Sequence, residues 1–208
     1  SYFLYRLSQE QLAATLFPLG EMKKEAVYQK AAELELPYEE ILESQEVCFV
    51  TQKDYRAFLS ENRPEAASPG KIVTEGGEVI GQHAGVAFYT VGQRRGLGVA
   101  LGQRTYVTRI DSDKREVVIG SEASLLQKEL VAENLVWGGI GPPQGPLRVK
   151  GRIRYRSSEQ AATLFPISNG KVHVCFDTPQ RGVSPGQSIV FYDEDEVIGG
   201  GVIAYANK

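Results

Sequence analysis

The sequence lacks the features that mark secreted and membrane proteins. Its 208 residues include two cysteines, too few for a disulfide framework, and no apolar run approaches the roughly 20 residues that span a bilayer. No signal peptide opens the chain, and a first residue other than Met leads us to expect a fragment of a longer protein. We therefore expect a cytoplasmic protein that does not associate with membranes.

An excess of basic charge is also missing, since the formal net charge is −3. This argues against a general affinity for polyanions, so any nucleic-acid surface must be a local basic patch. The two histidines, His83 and His173, are far apart, and no cysteine or histidine spacing is typical of a zinc site. We predict no metal site and interpret both histidines as structural or exposed.

Residues 1–60 carry a helical pattern. Ser8 and Gln11 have the spacing of a capping box, in which each side chain bonds the backbone N–H of the other residue. Apolar residues then recur at helical spacing from Lys24 to Leu34, and Pro37 ends this run. A further short helix is predicted from Asp54 to Leu59.

Beyond a linker at residues 63–70, period-two patterns and turn residues dominate. Two hairpins are predicted, one over residues 71–80 and one over residues 105–119. Further strands are predicted at residues 149–155, 161–166, 172–176, 188–192 and 197–204. Short strands at regular spacing favour a small closed β-barrel. The predicted fold class is α+β and mostly β, with helices confined to the first block.

A basic stretch lies in the first of these barrel strands. Lys150, Arg152, Arg154 and Arg156 alternate with other residues, so all four should project from one face of a strand. Contact with phosphates would relieve their mutual repulsion, which favours a nucleic-acid partner. A solvated edge strand protected by charge is the alternative, and the pattern leaves both interpretations open.

A glycine-rich segment from Phe88 to Gly98 surrounds Gln93, Arg94 and Arg95. Its glycines allow the backbone to approach a ligand closely, and arginine suits phosphate. The segment lacks the lysine and the spacing of a nucleotide-binding P-loop. We interpret these three residues as candidate RNA contacts, with a tight structural loop as an equal alternative.

The two cysteines lie in different surroundings. Cys48 lies in the apolar run Ser44–Val50, where its thiolate could carry chemistry or its thiol could pack as a small hydrophobe. Cys175 alternates with Val174 and Phe176 in a predicted strand, so we interpret it as structural. No motif pairs Cys48 with a histidine as a hydrolase would require.

Taken together, several stretches resemble the tRNA-specific 2-thiouridylase family. They follow the family's order and cover essentially the whole chain: Ser1–Leu4, Leu16–Gly20, Ser44–Val50, Tyr89–Gly98, Val149–Arg156, Ser184–Tyr192 and Val197–Gly201. The resemblance implies the end of a catalytic domain at residues 1–60, a central tRNA-binding domain at residues 61–130 and a C-terminal β-barrel at residues 131–208. The family's ATP-binding PP-loop motif and its first catalytic cysteine do not occur in this sequence.

In that family, ATP activates the C2 oxygen of uridine 34, the wobble position of tRNA, and a cysteine persulfide supplies the sulfur. Cys48 matches the persulfide cysteine, whereas Arg154, Tyr155 and Gln187 match tRNA contacts. The resemblance therefore implies two partners, tRNA and a sulfur-donor protein. It implies no cofactor bound by this chain itself, because ATP with Mg would bind to the PP-loop domain.

We expect the chain alone to be inactive in thiolation. The alternative, from a different class, is a non-enzymatic RNA-binding module in which Cys48 is inert. Residues 1–60 would contact the rest of the catalytic domain, so Leu4, Leu7, Leu12 and Phe17 are expected to form an exposed apolar patch. Such a patch would drive self-association.

Overall fold

The computed structural model describes residues 2–37, 55–99 and 102–204 of the chain. Within these ranges, the N-terminal block contains the helices α1 (Gln9–Ala13), α2 (Lys24–Glu33) and α3 (Tyr55–Asn62). The predicted capping box is present at the start of α1, because Ser8 and Gln11 each accept a backbone hydrogen bond from the other. None of the described helices is long and apolar enough to cross a membrane.

A four-stranded sheet follows the helices, in the order β2-β1-β4-β3. Its strands are β1 (Gly70–Thr74), β2 (Val79–His83), β3 (Tyr106–Asp111) and β4 (Glu116–Gly120). Both predicted hairpins are confirmed, since β1 and β2 pair antiparallel, as do β3 and β4. Strands β1 and β4 pair in parallel, which joins the two hairpins into one sheet.

The remaining described strands close into a barrel, in the order β10-β5-β8-β7-β6-β9. They are β5 (Leu126–Trp137), β6 (Leu147–Arg152), β7 (Gln160–Ile167), β8 (Lys171–Arg181), β9 (Ser188–Asp193) and β10 (Glu196–Ile203). Alternate residues of these strands fill the interior, where Leu164, Phe176 and Phe191 are fully buried. Their removal from water stabilises the closed form. The predicted mostly-β fold with a small closed barrel is therefore confirmed.

Two barrel strands differ from the prediction. Strand β5 was not predicted, because charged residues interrupt its apolar ones and Asn134 has a positive φ of 52°. It begins at Leu126, ahead of the barrel boundary expected at residue 131. Strand β6 ends at Arg152, not at residue 155, because Ile153 turns into the barrel core and the chain then folds into a turn.

A short 3-10 helix, Tyr2–Arg6, holds the N-terminal segment against the outside of the barrel. Tyr2 and Tyr5 are each 5% exposed and pack in one cluster with Tyr192 of β9. Tyr5 fits because Gly200 of β10 has no side chain: a Cβ there would lie 2.5 Å from the Tyr5 ring. The start of the chain is thus anchored on strands that lie near its end.

The apolar patch predicted for this block is composed differently. Leu4, Leu7 and Leu12 are half-buried and line a cleft of about 200 Å³ against the barrel. The prediction that these three leucines belong to an exposed patch is therefore wrong. Phe17 is exposed, as expected. Among the described residues of this block, the exposed leucines are Leu16, Leu19, Leu34 and Leu36. Self-association through this surface stays a prediction.

Candidate functional site

Stretches that are distant in sequence meet around the guanidinium of Arg154. Its Nη2 donates to the backbone oxygen of Val91 (3.2 Å), the backbone oxygen of Gly182 (2.6 Å) and Oγ of Ser184 (2.9 Å). Val91 belongs to the glycine-rich segment before β3, whereas Gly182 and Ser184 connect β8 to β9. We name these four residues the Arg154 junction, since they join the four-stranded sheet to the barrel.

Two glycines lie beside this guanidinium. Gly182 has a φ of +69°, and a Cβ there would lie only 3.0 Å from Nη2 of Arg154. Gly92 has a φ of +88°, and a Cβ there would make only an ordinary contact with the same atom, at 3.9 Å. Positive φ favours glycine, so both turns depend on it. Burial of the guanidinium, together with the positive charge of Arg181, lowers the pKa of Arg154 from its ordinary value.

The residue after Arg154 is presented to solvent on a fixed turn. Ser157 Oγ accepts a bond from the Arg154 backbone N–H (3.2 Å), and the Ser157 backbone N–H donates to the Arg154 carbonyl (3.1 Å). Tyr155 and Arg156, both exposed, lie between these two residues. The ring of Tyr155 stacks on the exposed ring of Phe3.

Gln187 lies at the end of the neighbouring turn. Its backbone N–H donates to the carbonyl of Ser184 (3.2 Å), and its side chain is exposed. The next residue, Ser188, accepts a bond at its carbonyl from the hydroxyl of Tyr2 (2.7 Å), and the Tyr2 ring contacts that of Tyr155. Gln187 is therefore linked through Ser184 to Arg154, and its neighbour Ser188 is linked through Tyr2 to Tyr155.

The loop that carries Gln93, Arg94 and Arg95 is tightly closed. The side chain of Gln93 accepts from the backbone N–H of Thr90 (3.0 Å) and donates to the carbonyl of Arg95 (2.9 Å). Gln93 thus shapes the loop, whereas Arg94 and Arg95 are exposed and have no ion-pair partner among the described residues. The segment is thus a tight structural loop that presents two arginines to solvent, and RNA contact by these residues stays a prediction.

The prediction that four basic residues share one face of a strand is wrong. Lys150 and Arg152 do project outward from β6, but Arg154 and Arg156 lie beyond its end. Both strand residues also have carboxylate partners: Lys150 Nζ lies 3.6 Å from Glu194, and Arg152 Nη2 lies 2.9 Å from Glu159. Their repulsion is therefore relieved within the protein, and Arg156 alone of the four is exposed without a described ion pair.

The candidate catalytic residue Cys48 lies outside the described residues. Cys175 is half-buried in β8, where it faces away from the core, and its structural interpretation stays a prediction. Among the residues that the structure describes, no group of three His, Cys, Asp or Glu side chains could hold a metal ion.

The sequence pattern did not single out Phe3 and Tyr2, which the structure places beside Tyr155. Tyr2 is buried and packs edge-on against Phe3, with ring centroids 5.3 Å apart. The available signal was the density of aromatic residues ahead of the capping box at Ser8. A contact between residues 3 and 155 has no periodicity that a sequence pattern could reveal.

Three family models match the chain along most of its length. A tRNA methyl transferase HUP domain matches residues 1–52, a tRNA methyl transferase PRC-barrel domain matches residues 56–121, and an aminomethyltransferase beta-barrel domain matches residues 127–203. The chain is thus in the class of proteins that combine these three domain types.

Similar proteins carry the name tRNA-specific 2-thiouridylase MnmA. The protein of Acetivibrio thermocellus is 48% identical over 203 residues, and that of Chlorobium phaeobacteroides is 44% identical over 209 residues. These matches cover 98% and 99% of this chain, but 56% and 58% of the relatives. The chain belongs to the tRNA-specific 2-thiouridylase family, and it spans a little more than half the length of the curated relatives it matches.

Proposed function

We propose that this chain is part of a tRNA-uridine 2-sulfurtransferase, a cytoplasmic enzyme that places a persulfide sulfur on C2 of the wobble uridine, position 34 of tRNA. One observation carries the proposal: Tyr155, Gln187 and the loop of Arg94 and Arg95 meet at the Arg154 junction. They do so in a chain whose 44–48% identical relatives are named tRNA-specific 2-thiouridylases.

The exposed surface around the junction supports an RNA partner. Aromatic rings beside arginines are a common means of holding unstacked bases and their phosphates. Phe3 and Tyr155 supply two exposed rings, and Arg94, Arg95 and Arg156 supply charges without a described ion-pair partner. With a net charge of −3 for the whole chain, such a patch must act locally.

Cys48 is the proposed sulfur carrier. Its thiolate attacks the outer sulfur of a persulfide on a donor protein, the donor's S–S bond breaks, and the donor thiolate leaves. The outer sulfur of the Cys48 persulfide then bonds to C2 of the uridine as the C2 oxygen departs. The family's first cysteine attacks the inner sulfur, so that a disulfide forms and the sulfur stays on the base.

ATP with Mg supplies one chemical step, adenylation of the C2 oxygen, which makes that oxygen a leaving group. The family's PP-loop motif is not in this sequence. We therefore place ATP binding in a part of the longer protein outside this sequence. The chain alone is proposed to be inactive in thiolation, and thiolation of tRNA by the isolated 208 residues would contradict this.

Persulfide transfer to the chain tests Cys48 directly. The protein would be incubated with a cysteine desulfurase and cysteine, and the intact mass of wild type, Cys48→Ser and Cys175→Ser would be recorded. We expect one added sulfur atom, removable by a thiol reductant, on wild type and on Cys175→Ser, and none on Cys48→Ser. Cys175 is the matched control because it is the chain's other cysteine.

The same assay in the full-length protein separates the two functional classes. Loss of both the sulfur adduct and tRNA thiolation in Cys48→Ser, with tRNA binding retained, is the result expected of the sulfurtransferase. If full-length Cys48→Ser still thiolates tRNA, or if no adduct forms on the full-length wild type, Cys48 is inert. The RNA-binding module would then be the remaining interpretation.

A further inference from the structure

We propose that Arg154 is a positioning residue, which clamps the loop of Arg94 and Arg95 to the barrel. The inference rests on the proposed RNA-binding function, which it deepens by naming a residue that holds the RNA-contacting side chains in place. It starts from the hydrogen bonds of the Arg154 guanidinium.

Nη2 of Arg154 has two hydrogens and three acceptors around it, the carbonyls of Val91 and Gly182 and Oγ of Ser184. Both hydrogens of Nη2 are therefore engaged by acceptors of the protein itself. The oxygen of Gly182 lies 2.6 Å away, in the short range of charge-assisted hydrogen bonds.

The acceptors of Nη2 come from two different parts of the fold. Val91 packs in a small cluster with Tyr106 of β3 and with Leu125, which lies just before β5. The Val91 carbonyl is therefore fixed relative to the four-stranded sheet. Gly182 and Ser184 follow β8, a barrel strand. A single nitrogen that bonds both sides fixes the distance between them, and a lysine ammonium, which has a shorter stem, would not reach all three acceptors.

The clamp determines where the exposed arginines lie. The backbone N–H of Gly92 donates to the carbonyl of Val107 (2.8 Å), and that of Val107 donates to the carbonyl of Gln93 (2.9 Å). The loop is thus continuous with β3 on one side and with Arg154 on the other. Loss of the clamp would let Arg94 and Arg95 move relative to Tyr155, which lies on the turn that starts at Arg154.

Hydrogen exchange tests the clamp without any RNA. Arg154→Lys keeps the charge but shortens the side chain, and Arg156→Gln is the matched control, since Arg156 is exposed on the same turn. We expect at least about tenfold faster amide exchange at Gly92 and Gly182 in Arg154→Lys, with the barrel core unchanged. We expect no change at either amide in Arg156→Gln.

Binding of unmodified tRNA to the full-length protein supplies the second readout. Alanine replacement of Arg94 and Arg95 together should weaken binding at least about fivefold less in the Arg154→Lys background than in wild type, because the loop is already displaced. A structural role unrelated to the loop would leave these losses additive. Ser184→Ala, which removes one acceptor, should show the same trend more weakly and serves if Arg154→Lys does not fold.

Two results would overturn the clamp: unchanged exchange at Gly92 and Gly182 in Arg154→Lys, or additive losses together with a salt slope lowered in Arg154→Gln as for a phosphate contact. Failure of the proposed RNA function would be visible separately. In that case wild type would bind no tRNA, while the exchange at Gly92 and Gly182 would still decide the clamp.

Discussion

The rings of Phe3 and Tyr155 stack with their centroids 5.0 Å apart and their planes inclined by 29°. The two side chains are 70% and 59% exposed, so the pair lies open to solvent. It is nevertheless rigidly supported, because the buried ring of Tyr2 contacts both rings and the Tyr2 hydroxyl is bonded to Ser188 of β9. A supported and open aromatic surface can stack a nucleobase at little ordering cost.

The first prediction concerns this aromatic pair. Tyr155→Ala and Phe3→Ala should each weaken tRNA binding by about 1–3 kcal/mol, the usual contribution of a stacked base. Tyr155→Phe should retain most of the affinity, since it keeps the ring. Fluorescence anisotropy with labelled tRNA measures the change.

Phe165→Ala is the matched control, because Phe165 is also a partly exposed ring but lies on β7. It should leave tRNA binding unchanged. Equal losses from Phe165→Ala and Phe3→Ala would show that the effect is unrelated to stacking at the pair.

The second prediction concerns the salt dependence of tRNA binding. Arg94, Arg95 and Arg156 have no described carboxylate partner, so each phosphate contact should contribute about 0.7–0.9 to the slope of log K against log salt. Alanine at any one of them should reduce the slope by that amount. Titrations at several salt concentrations give the slopes.

Lys150→Ala and Arg152→Ala serve as the comparison, since both side chains face carboxylates, Glu194 and Glu159 respectively. They should change the slope much less than the three arginines do. If Lys150 and Arg152 carried the slope instead, the basic face of β6 would be the RNA contact after all.

Local patterns in the sequence predicted the fold well. The capping box at Ser8, the two hairpins and most barrel strands depend on spacing and turn residues, which a single sequence carries. Strand β5 was missed because its ladder with β8 and β10, rather than its own pattern, makes it a strand.

The candidate site was predictable only as a set of separate stretches. Family resemblance named Arg154, Tyr155 and Gln187, but no pattern in the sequence says that the Arg154 guanidinium turns inward to Val91 and Gly182. That contact spans the sheet and the barrel, and it depends on tertiary packing. The alternation of basic residues likewise predicted wrongly that all four share one face of a strand. The turn after Arg152 interrupts the strand period, so the alternation does not extend to Arg154 and Arg156.

The third prediction concerns acid stability and His83. This side chain is buried, its Nε2 donates to the carbonyl of Arg115 (3.1 Å), and its Nδ1 has no described partner. Burial lowers the pKa of His83 below its ordinary value of 6.5. The neutral form is therefore favoured in the folded state, and its contribution to stability, complete above pH 6.5, is lost as the pH falls below that value.

Urea unfolding at about pH 7.5 and about pH 5 should thus show a smaller free energy of unfolding at the lower pH. His83→Gln, which can keep the donor to Arg115, should reduce this difference. His173→Gln, on the barrel surface beside Glu129, should leave it in place. The assignment fails if His173→Gln removes the pH dependence and His83→Gln does not.

The fourth prediction concerns alkaline stability and Tyr2. Burial, and after it the neighbouring Tyr5 and Tyr192, raise the pKa of Tyr2 to about 12. The folded state therefore favours the neutral phenol. The contribution of this group to stability is complete below pH 10 and is lost as the pH rises from 10 towards about 12.

Denaturant unfolding across this range should show a decline of up to about 2–3 kcal/mol, because the pKa of Tyr2 is about 12 instead of the ordinary 10. Tyr2→Phe should cost about 1 kcal/mol near neutral pH, because the bond to Ser188 is lost, and should flatten the alkaline decline. Tyr192→Phe serves as the comparison at neutral pH only, where its loss should cost little because the buried Tyr192 hydroxyl has no described partner. At alkaline pH it should also lessen the decline, since burial raises the pKa of Tyr192 as well. An undiminished alkaline decline in Tyr2→Phe would mean that Tyr2 ionises as readily in the folded protein as in the unfolded chain, and hence that the 3-10 helix is not anchored on the barrel through Tyr2.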